Sequence, residues 1–326
     1  MVNSRTEETA RALWYIGPGR AEIRPEKLPP PGQKELRVRA LCGAFSRGTE
    51  ALVLAGRVPA SEFERMRAPF MGGHFPFPVK YGYATVGQIE DGESSGRIVF
   101  TLHPHQTSFN VPASAVVALP DGIPPPRAAL AANMETALNA VWDAEPRSGD
   151  RIAVVGGGVV GSLVAYLCSR LHAADVTLVD VNPARATLAA KLGVKFATPA
   201  DAPEDCNLVF HASGTAAGLA TALSLAAFEG TIIELSWYGD VQVPVPLGGA
   251  FHSRRLKVVS SQVGHVAPSR RRDWTHHRRL TDAVNLLDDA RLDALLAPAV
   301  KFDELPRRLQ DILDPKSGVL CQLIAY

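Results

Sequence analysis

Three glycines in the middle of the chain have a spacing that could cradle phosphate groups. Gly156, Gly158 and Gly161 form a G-x-G-x-x-G pattern directly after residues 151–155, which have the composition of a buried strand. The first glycine permits a tight turn, the second lets the backbone approach a pyrophosphate, and the third allows close packing of a helix on the strand.

A helical pattern follows these glycines and begins with Val159 and Val160. The N-terminus of such a helix offers free N–H groups and a positive dipole end to phosphates. A second strand, 176–179, then leads to Asp180, which is placed to accept hydrogen bonds from a ribose diol. Together these features predict a nicotinamide dinucleotide site that includes Val159 and Val160. The alternative is a glycine-rich connection in an unrelated α/β domain.

Asp180 also indicates which dinucleotide would bind. Its carboxylate would repel the 2′-phosphate of NADP, and no arginine directly follows it to compensate. NAD is therefore the predicted cofactor, and NADP is less favoured. Ser213 and Gly214 end the fourth predicted strand, at the edge of the sheet where ligands of such sheets lie, and they are predicted to contact the cofactor.

Length, charge and cysteine content limit the class of protein. The 326 residues suit two domains, and a net charge of +1 gives no general attraction to nucleic acid or membranes. The N-terminus lacks the apolar core of a signal peptide, and the uncharged run 152–168 is short for a membrane span. Four scattered cysteines exclude a cysteine-rich zinc lobe. We expect a cytoplasmic protein with a small-molecule substrate and no nucleic-acid or membrane partner.

The pattern of elements changes along the chain. Residues 1 to about 120 have mostly strand signals and predict a β-rich domain, and the proline-rich run 120–126 marks a boundary. After it, strands and helices alternate as a doubly wound parallel sheet requires. Six strands are predicted, at 151–155, 175–180, 194–197, 207–211, 230–236 and 256–260.

The chain resembles a medium-chain dehydrogenase/reductase, the superfamily of zinc alcohol dehydrogenases and quinone oxidoreductases. The motifs that carry the resemblance are Gly82 within 81–87, the glycine turn, Asp180 with Arg185, and the segments 210–214 and 230–235. The resemblance implies an α/β fold in which a Rossmann domain, 126–265, is inserted into a GroES-like β-rich catalytic domain. Residues 1–125 and the returning segment 266–326 would form that catalytic domain.

The resemblance has further implications for binding and assembly. It implies that Arg185 stacks against adenine and that Thr136 lies beside the nicotinamide ring. The sixth strand of the Rossmann sheet is often a dimer seam in this superfamily, so the segment 256–260 is a candidate edge for a homodimer.

Three positions at which zinc-dependent relatives carry metal ligands hold other residues here. Ser46 replaces a cysteine, Tyr83 replaces the histidine of a G-H-E motif, and Glu135 is the only possible ligand within 131–136. Zinc requires thiolate or imidazole donors, usually three of them from the protein. The sequence therefore predicts no metal site. The loop 46–50 is similar to that of the bacteriochlorophyllide dehydrogenase-like branch.

A dehydrogenase without zinc needs a side chain that delivers a proton to the developing oxyanion or neutralises it. Tyr83 is the first candidate, and Ser46 and Thr49 could relay a proton. His103 or His105 could exchange protons because the ordinary pKa of histidine is near 6.5. Each candidate has an alternative interpretation. The tyrosine would simply be packed in the β-rich domain, the serine and threonine would be ordinary polar residues of a loop, and the histidines would lie on the surface in a loop bent by proline.

The basic stretch 269–279 holds five arginines around Trp274. A solvated helix start is favoured over nucleic-acid binding, and a clamp for an anionic substrate remains an alternative. The predicted function is a zinc-independent, NAD(H)-dependent oxidoreductase that interconverts an alcohol and a carbonyl on a polar or anionic small molecule. The alternatives are a quinone or enoyl reductase of the same superfamily and a catalytically inactive dinucleotide-binding sensor.

Overall fold

The computed structural model describes residues 8–326. Its strands are β1 (Glu8–Gly17), β2 (Arg20–Leu28), β3 (Glu35–Ala44), β4 (Gly72–Gly73), β5 (Val79–Lys80), β6 (Thr85–Ile89), β7 (Ile98–Thr101), β8 (Ser108–Pro112), β9 (Val116–Ala118), β10 (Arg151–Val155), β11 (Asp175–Val179), β12 (Lys195–Ala197), β13 (Cys206–His211), β14 (Ala226–Glu234), β15 (Lys257–Ser260), β16 (Leu296–Lys301) and β17 (Cys321–Ala325). Its α-helices are α1 (Arg47–Leu54), α2 (Pro125–Ala128), α3 (Ala131–Ala144), α4 (Val159–Ser169), α5 (Arg185–Leu192), α6 (Ala216–Leu225), α7 (His276–Asn285) and α8 (Leu305–Leu313). Within residues 8–326, none of these helices has the length and apolar character needed to cross a bilayer.

The chain divides into two compact units. The first comprises the residues up to Ala132 together with Leu296–Tyr326, and the second comprises Asn133–Leu295. The division therefore falls after 132 and after 295, whereas the sequence placed it after 125 and after 265. The first boundary lies inside α3, not at the proline-rich run.

Residues 266–295 belong to the second unit because their polar contacts lie there. The backbone N–H of Ala267 donates a hydrogen bond to Oδ1 of Asn139 at 3.1 Å. Nε of Arg279 donates to Oε1 of Glu135 at 3.0 Å, and both side chains are almost completely buried. These partners are far from 266–295 in sequence, so the local pattern did not reveal them.

The first unit contains two sheets. One has the order β2-β1-β5-β4, and the other has the order β16-β17-β3-β6-β7-β9, with β8 paired to β3. The strand β17 pairs antiparallel with β3, so the segment 296–326 completes a sheet that the beginning of the chain starts. Side chains of this sheet form a hydrophobic cluster, and its buried members are Val38, Ala40, Ile89, Val99, Phe109 and Val111.

The returning segment 296–326 also fixes the loop that precedes α1. The guanidinium of Arg47 donates hydrogen bonds to the backbone oxygens of Ile312, at 2.7 Å, and of Asp314 and Val319. Arg47 also donates to the hydroxyl of Ser317 at 2.8 Å. The loop is therefore anchored to chain that lies some 270 residues further on, as the separations of 265 to 272 residues show.

The strands β5 and β6 are separated by a break that includes Gly82. This glycine has a φ of +113°, which favours a residue without a side chain. A Cβ atom at this position would lie 2.7 Å from the imidazole of His105. The chain therefore divides into β5 and β6 because the backbone passes close to the His105 ring.

The second unit is built on a parallel sheet of six strands. Their order, β12-β11-β10-β13-β14-β15, is that of two mononucleotide-binding halves that meet between β10 and β13. The α/β class and the parallel sheet that the alternation predicted are confirmed, and all six strands lie close to their predicted positions. Apolar side chains fill these strands, as expected where helices cover both faces.

The helix α7 covers His276–Asn285 and begins within the basic stretch 269–279. Thr275 starts it, because its hydroxyl accepts a hydrogen bond from the backbone N–H of Arg278. The basic stretch 269–279 therefore includes the beginning of this helix. Arg279 is the buried exception among its exposed arginines.

Candidate functional site

The glycine turn after β10 has the geometry that its spacing predicts. Gly156 has a φ of +112°, and a Cβ there would lie 2.6 Å from the backbone nitrogen of Ser213. A Cβ on Gly161 would collide with the carbonyl oxygen of Gly156. A Cβ on Gly158 would meet nothing within 4 Å, so this residue borders open space in which a pyrophosphate fits.

The N-terminus of α4 faces the same turn. Gly158 is the N-cap residue, and no side chain caps the helix. The partly buried Val159 and Val160 form its first turn, so their backbone N–H groups are available to an anion together with the positive dipole end. These residues fit the phosphates of a dinucleotide.

Asp180 follows β11 and borders the glycine turn. Its Oδ2 accepts a hydrogen bond from the backbone N–H of Gly157 at 2.6 Å, and its Oδ1 accepts one from Asn182 at 2.7 Å. A carboxylate has about four acceptor positions, so the two oxygens can still accept from a ribose diol. Arg185 begins α5, and its Cγ lies 3.2 Å from where a Cβ of Gly157 would be.

The other predicted cofactor residues lie in the same unit. Ser213 and Gly214 follow β13, and Gly214 has a φ of +67°. The backbone N–H of Gly214 donates to the hydroxyl of Ser236 at 3.1 Å. Thr136 is a partly buried residue of α3.

Two ionisable side chains near Ser213 were not predicted. His211 and Glu234 are directly opposite each other on β13 and β14, with His211 Nδ1 2.8 Å from Oε2 of Glu234. The only sequence signal was an ionisable residue at the carboxyl end of each strand, directly after the apolar runs 208–210 and 232–233.

In the first unit, Tyr83 lies in a polar cluster with two other predicted residues. Burial raises the pKa of Tyr83 to about 12, and the neighbouring side chains of Ser46 and Thr49 partly oppose the increase. The phenol is therefore protonated at neutral pH and can donate a proton.

Glu50 is the centre of this cluster and is completely buried. One of its oxygens, Oε2, accepts from the hydroxyl of Tyr15 at 2.8 Å and lies 2.9 Å from Nε2 of His105. The other, Oε1, accepts from the backbone N–H of Ser46 at 2.9 Å. The carboxylate thus connects His105 to the loop that carries Ser46. Neither the burial of Glu50 nor the contact with Tyr15 was evident from the sequence.

His103 is held by contacts with Phe109 and Pro104. Its ring stacks on Phe109, with centroids 3.6 Å apart and planes 7° apart, and its Nδ1 is 2.9 Å from the backbone oxygen of Pro104. Burial lowers the pKa of His103 to about 3. The value near 6.5 that made this residue a candidate for proton exchange therefore does not apply. Both His103 and His105 are buried, and neither is a surface histidine.

The residues at the three positions of zinc ligands do not fit a zinc ion. Ser46 and Tyr83 offer neutral hydroxyls, which bind zinc poorly compared with thiolate or imidazole. Glu135, in the second unit, is paired with Arg279. No group of three or more His, Cys, Asp or Glu residues that could hold a metal occurs within 8–326.

The basic stretch 269–279 makes contacts within its own unit. Arg278 lies over the ring of Trp274 at 4.1 Å, and Arg270 lies over Trp142 at 5.8 Å. The two indole rings are 4.7 Å apart. These cation–π contacts hold two of the arginines against the surface of the second unit.

Known proteins are similar to parts of this sequence. No family model matches the chain. A zinc-type alcohol dehydrogenase-like protein of Haemophilus influenzae, itself uncharacterized, is 24% identical over 223 residues, which is 64% of this chain and 61% of the relative. The 2-dehydro-3-deoxy-L-galactonate 5-dehydrogenase of Pseudoalteromonas atlantica is 24% identical over 199 residues, which is 58% and 54% of the two chains. The matches thus span little more than half the length of these relatives.

Solved structures share the fold over nearly the whole chain. One, from Sinorhizobium meliloti, is described as a zinc-binding dehydrogenase bound to NADP, and it has a TM-score of 0.77 at 19% identity, covering 98% of this chain and all of its own. An alcohol dehydrogenase of Escherichia coli in complex with NADH has a TM-score of 0.77 at 15% identity, covering 98% and 99% of the two chains. The comparisons support the resemblance to zinc-type alcohol dehydrogenases of the medium-chain superfamily.

Proposed function

We propose that the protein is a zinc-independent, NAD(H)-dependent oxidoreductase that interconverts an alcohol and a carbonyl group on a polar or anionic small molecule. The observation that carries the proposal is the edge of the parallel sheet, where the glycine turn, the uncapped α4 and Asp180 lie together. A relative named for a sugar-acid substrate supports the polar or anionic substrate. A bound nicotinamide ring supplies the hydride acceptor or donor.

Tyr83 is the proposed proton donor. A carbonyl that receives hydride becomes an alkoxide, which a neutral phenol stabilises by donating a hydrogen bond and then a proton. Ser46 and Thr49 influence the pKa of this phenol, and we propose that their hydroxyls relay a proton from water to the Tyr83 phenolate. His105 is proposed to help position Ser46, because Glu50 contacts both the His105 ring and the backbone N–H of Ser46.

A substrate screen tests this function directly. Alcohols and ketones, including sugar acids and the substrates suggested by the likeness of the loop 46–50 to the bacteriochlorophyllide dehydrogenase-like branch, would be tested for the appearance or loss of NADH absorbance. Turnover only of quinones or enoyl compounds would replace the proposal by the reductase alternative. Binding of NADH without turnover of any substrate class would favour the sensor.

We expect Asp180→Ala to narrow the preference for NADH over NADPH. The wild type should bind NADH at least about tenfold more tightly, because the carboxylate repels a 2′-phosphate. Titrations of protein fluorescence with each cofactor measure this ratio. The matched control is Asp175→Ala, at the opposite end of β11, where Asp175 pairs only with the exposed Lys195 in a surface salt bridge. Equal affinity of the wild type for both cofactors would contradict the proposal that Asp180 selects NADH over NADPH.

We expect the purified protein to contain less than stoichiometric zinc and its activity to survive a chelator. The donors Ser46 and Tyr83 bind zinc poorly compared with thiolate or imidazole. Elemental analysis and assays with and without chelator measure this, with a zinc-containing alcohol dehydrogenase treated in parallel as a control. One zinc ion per chain, lost together with activity, would show that the interpretation of the site is wrong.

We also propose a homodimer through the edge of the Rossmann sheet. The edge strand β15 exposes all four of its residues, among them Val258 and Val259 at 42% and 41%. An unpaired apolar edge favours pairing with another strand. Sedimentation velocity is expected to show a dimer that Val259→Lys converts to monomer, and a monomeric wild type would contradict the proposal.

We place the protein in the cytoplasm as part of this proposal. Its four cysteines are free thiols, and three of them are buried, as expected in a reducing compartment. Fractionation of cells that express the protein tests this location, and recovery outside the cytoplasm would contradict it.

A further inference from the structure

A chain of hydrogen bonds joins the carboxyl ends of β13 and β14. His211 is completely buried, with its Nδ1 2.8 Å from Oε2 of Glu234 and its Nε2 2.7 Å from the hydroxyl of Ser213. The Glu234 carboxylate also accepts from the backbone N–H of Ser236, at 2.7 Å, and from the hydroxyl of Tyr238, at 3.1 Å. Donation from His211 and Ser236 holds the pKa of Glu234 below its ordinary value, although burial opposes this.

The sheet itself does not need this ionisable pair. The residues that precede the pair on the two strands, Phe210 and Ile233, are buried apolar side chains, and the strands pair through their backbones. Removing a carboxylate and an imidazole from water costs free energy that apolar residues would not cost. A requirement other than sheet stability therefore accounts better for His211 and Glu234.

The position of the pair in the sheet indicates which part of a dinucleotide it serves. In a doubly wound sheet, the dinucleotide lies across the carboxyl edge, with its pyrophosphate at the first glycine turn. Asp180, after β11, lies on one side of that turn and is the predicted partner of the adenosine ribose. His211 and Glu234 lie on the other side, on β13 and β14, where the nicotinamide half is expected.

A carboxylate, an imidazole and a hydroxyl in this order also occur in catalytic triads, in which the hydroxyl must be free to attack a substrate. The hydroxyl of Ser213 is not free in this sense. Its Oγ is 3.0 Å from the hydroxyl of Thr215 and accepts from the backbone N–H of Thr215 at 3.3 Å. A Cβ at Gly218 would collide with this Oγ, so the hydroxyl points under α6. These contacts leave it unsuited to attack a substrate. The arrangement instead fixes the turn that Ser213 begins.

We propose that Glu234 is a positioning residue for the nicotinamide half of the dinucleotide. Through His211 it holds the turn 213–215, and through Ser236 and Tyr238 it holds the segment that follows β14. The bond from the N–H of Gly214 to the hydroxyl of Ser236 joins the two segments. The inference rests on the proposed dinucleotide site and names residues that act on its second half.

Comparing NADH with ADP, which lacks both the nicotinamide ring and its ribose, tests the inference by binding alone. In Glu234→Gln, the affinity for NADH should fall about tenfold to a hundredfold, as expected when a charge-assisted network is lost. The affinity for ADP should change by less than about twofold, because its expected contacts lie with Asp180 and the glycine turn. The matched control is Glu229→Gln, in the first half of β14, where Glu229 forms an exposed pair with Arg255. This control should bind both ligands as the wild type does.

Each outcome of this experiment is decisive. Equal losses for NADH and ADP, or no loss for either, would overturn the role of Glu234. If Glu234→Gln does not fold, Ser236→Ala provides the same comparison, with a smaller loss expected for NADH only. A wild-type protein that binds neither ligand would overturn the proposed function and this inference with it. Binding of both ligands without discrimination by the variants would overturn this inference alone.

Discussion

Tyr83→Phe is expected to lower kcat/KM for carbonyl reduction by about a hundredfold or more, with no change in the affinity for NADH. The variant keeps the ring and its packing, and it removes the hydroxyl that contacts Ser46 and Thr49. The rate should fall because the alkoxide loses its proton donor. The measurement uses whichever carbonyl compound the substrate screen identifies, with NADH binding followed separately by fluorescence.

The control for this variant is Tyr81→Phe. Tyr81 is also a buried tyrosine, and its ring meets that of Tyr83 edge-on with centroids 5.9 Å apart. Removing its hydroxyl should leave kcat/KM within a few-fold of the wild type, since no proposed step uses it. If Tyr83→Phe retained nearly full activity, the proton would have to come from another group, and His105 would be the next candidate to test.

The second large effect concerns stability and is independent of any substrate. Arg279→Met is expected to lower the free energy of unfolding by about 3 to 5 kcal/mol, because it leaves Glu135 buried without a countercharge. The two side chains are only 1% and 5% exposed, and Arg279 also donates to Asn139 and to two backbone oxygens. Urea denaturation followed by circular dichroism measures the difference.

Two further variants distinguish the ion pair from a simple loss of packing. Adding Glu135→Met to Arg279→Met should recover much of the stability, since an apolar pair can replace a buried ion pair. The surface control Arg255→Met breaks the exposed pair with Glu229 and should cost less than about 1 kcal/mol. A double variant that is no more stable than Arg279→Met would contradict this explanation.

The loss of stability in Arg279→Met should also depend on pH. Burial raises the pKa of Glu135, and Arg279 lowers it again. Without the arginine, the folded-state pKa rises further above the unfolded-state value. The loss of stability should then be largest at neutral pH and should shrink as the pH falls toward the ordinary pKa of glutamate, where a neutral carboxyl needs no partner.

The parallel sheet and the glycine turn at its edge could be predicted because their signals are local. The glycine spacing, the apolar strands and the acid after β11 all lie within residues 151–180, and each has one main physical reason to be there. Their mutual arrangement follows from the geometry of a strand, a turn and a helix. The contact between Gly157 and Asp180 joins residues only 23 positions apart.

The polar clusters could not be predicted in this way because their partners are distant in sequence. Glu50 contacts Tyr15 and His105, which are 35 and 55 residues away, and a loop glutamate is usually solvated. The low pKa of His103 depends on its burial against Phe109. Arg279 contacts Glu135, which lies 144 residues earlier in the chain. Because nothing in the sequence indicated this contact, residues 266–295 were predicted to belong with the returning segment, whereas they lie in the second unit.

The contacts of Arg47 mean that the first unit can complete its folding only late in synthesis. A ribosome delivers the first 132 residues, then the complete second unit, and only afterwards the segment 296–326 that supplies β17 and the carbonyl partners of Arg47. The second unit has all six of its strands before that segment emerges, and domains generally fold as units during synthesis. The first unit, whose synthesis begins first, is therefore the last to complete its folding. A nascent chain can hold a folded second unit while Ser46 and the first turn of α1, which carries Thr49, still lack the contacts of Arg47 with the segment 296–326.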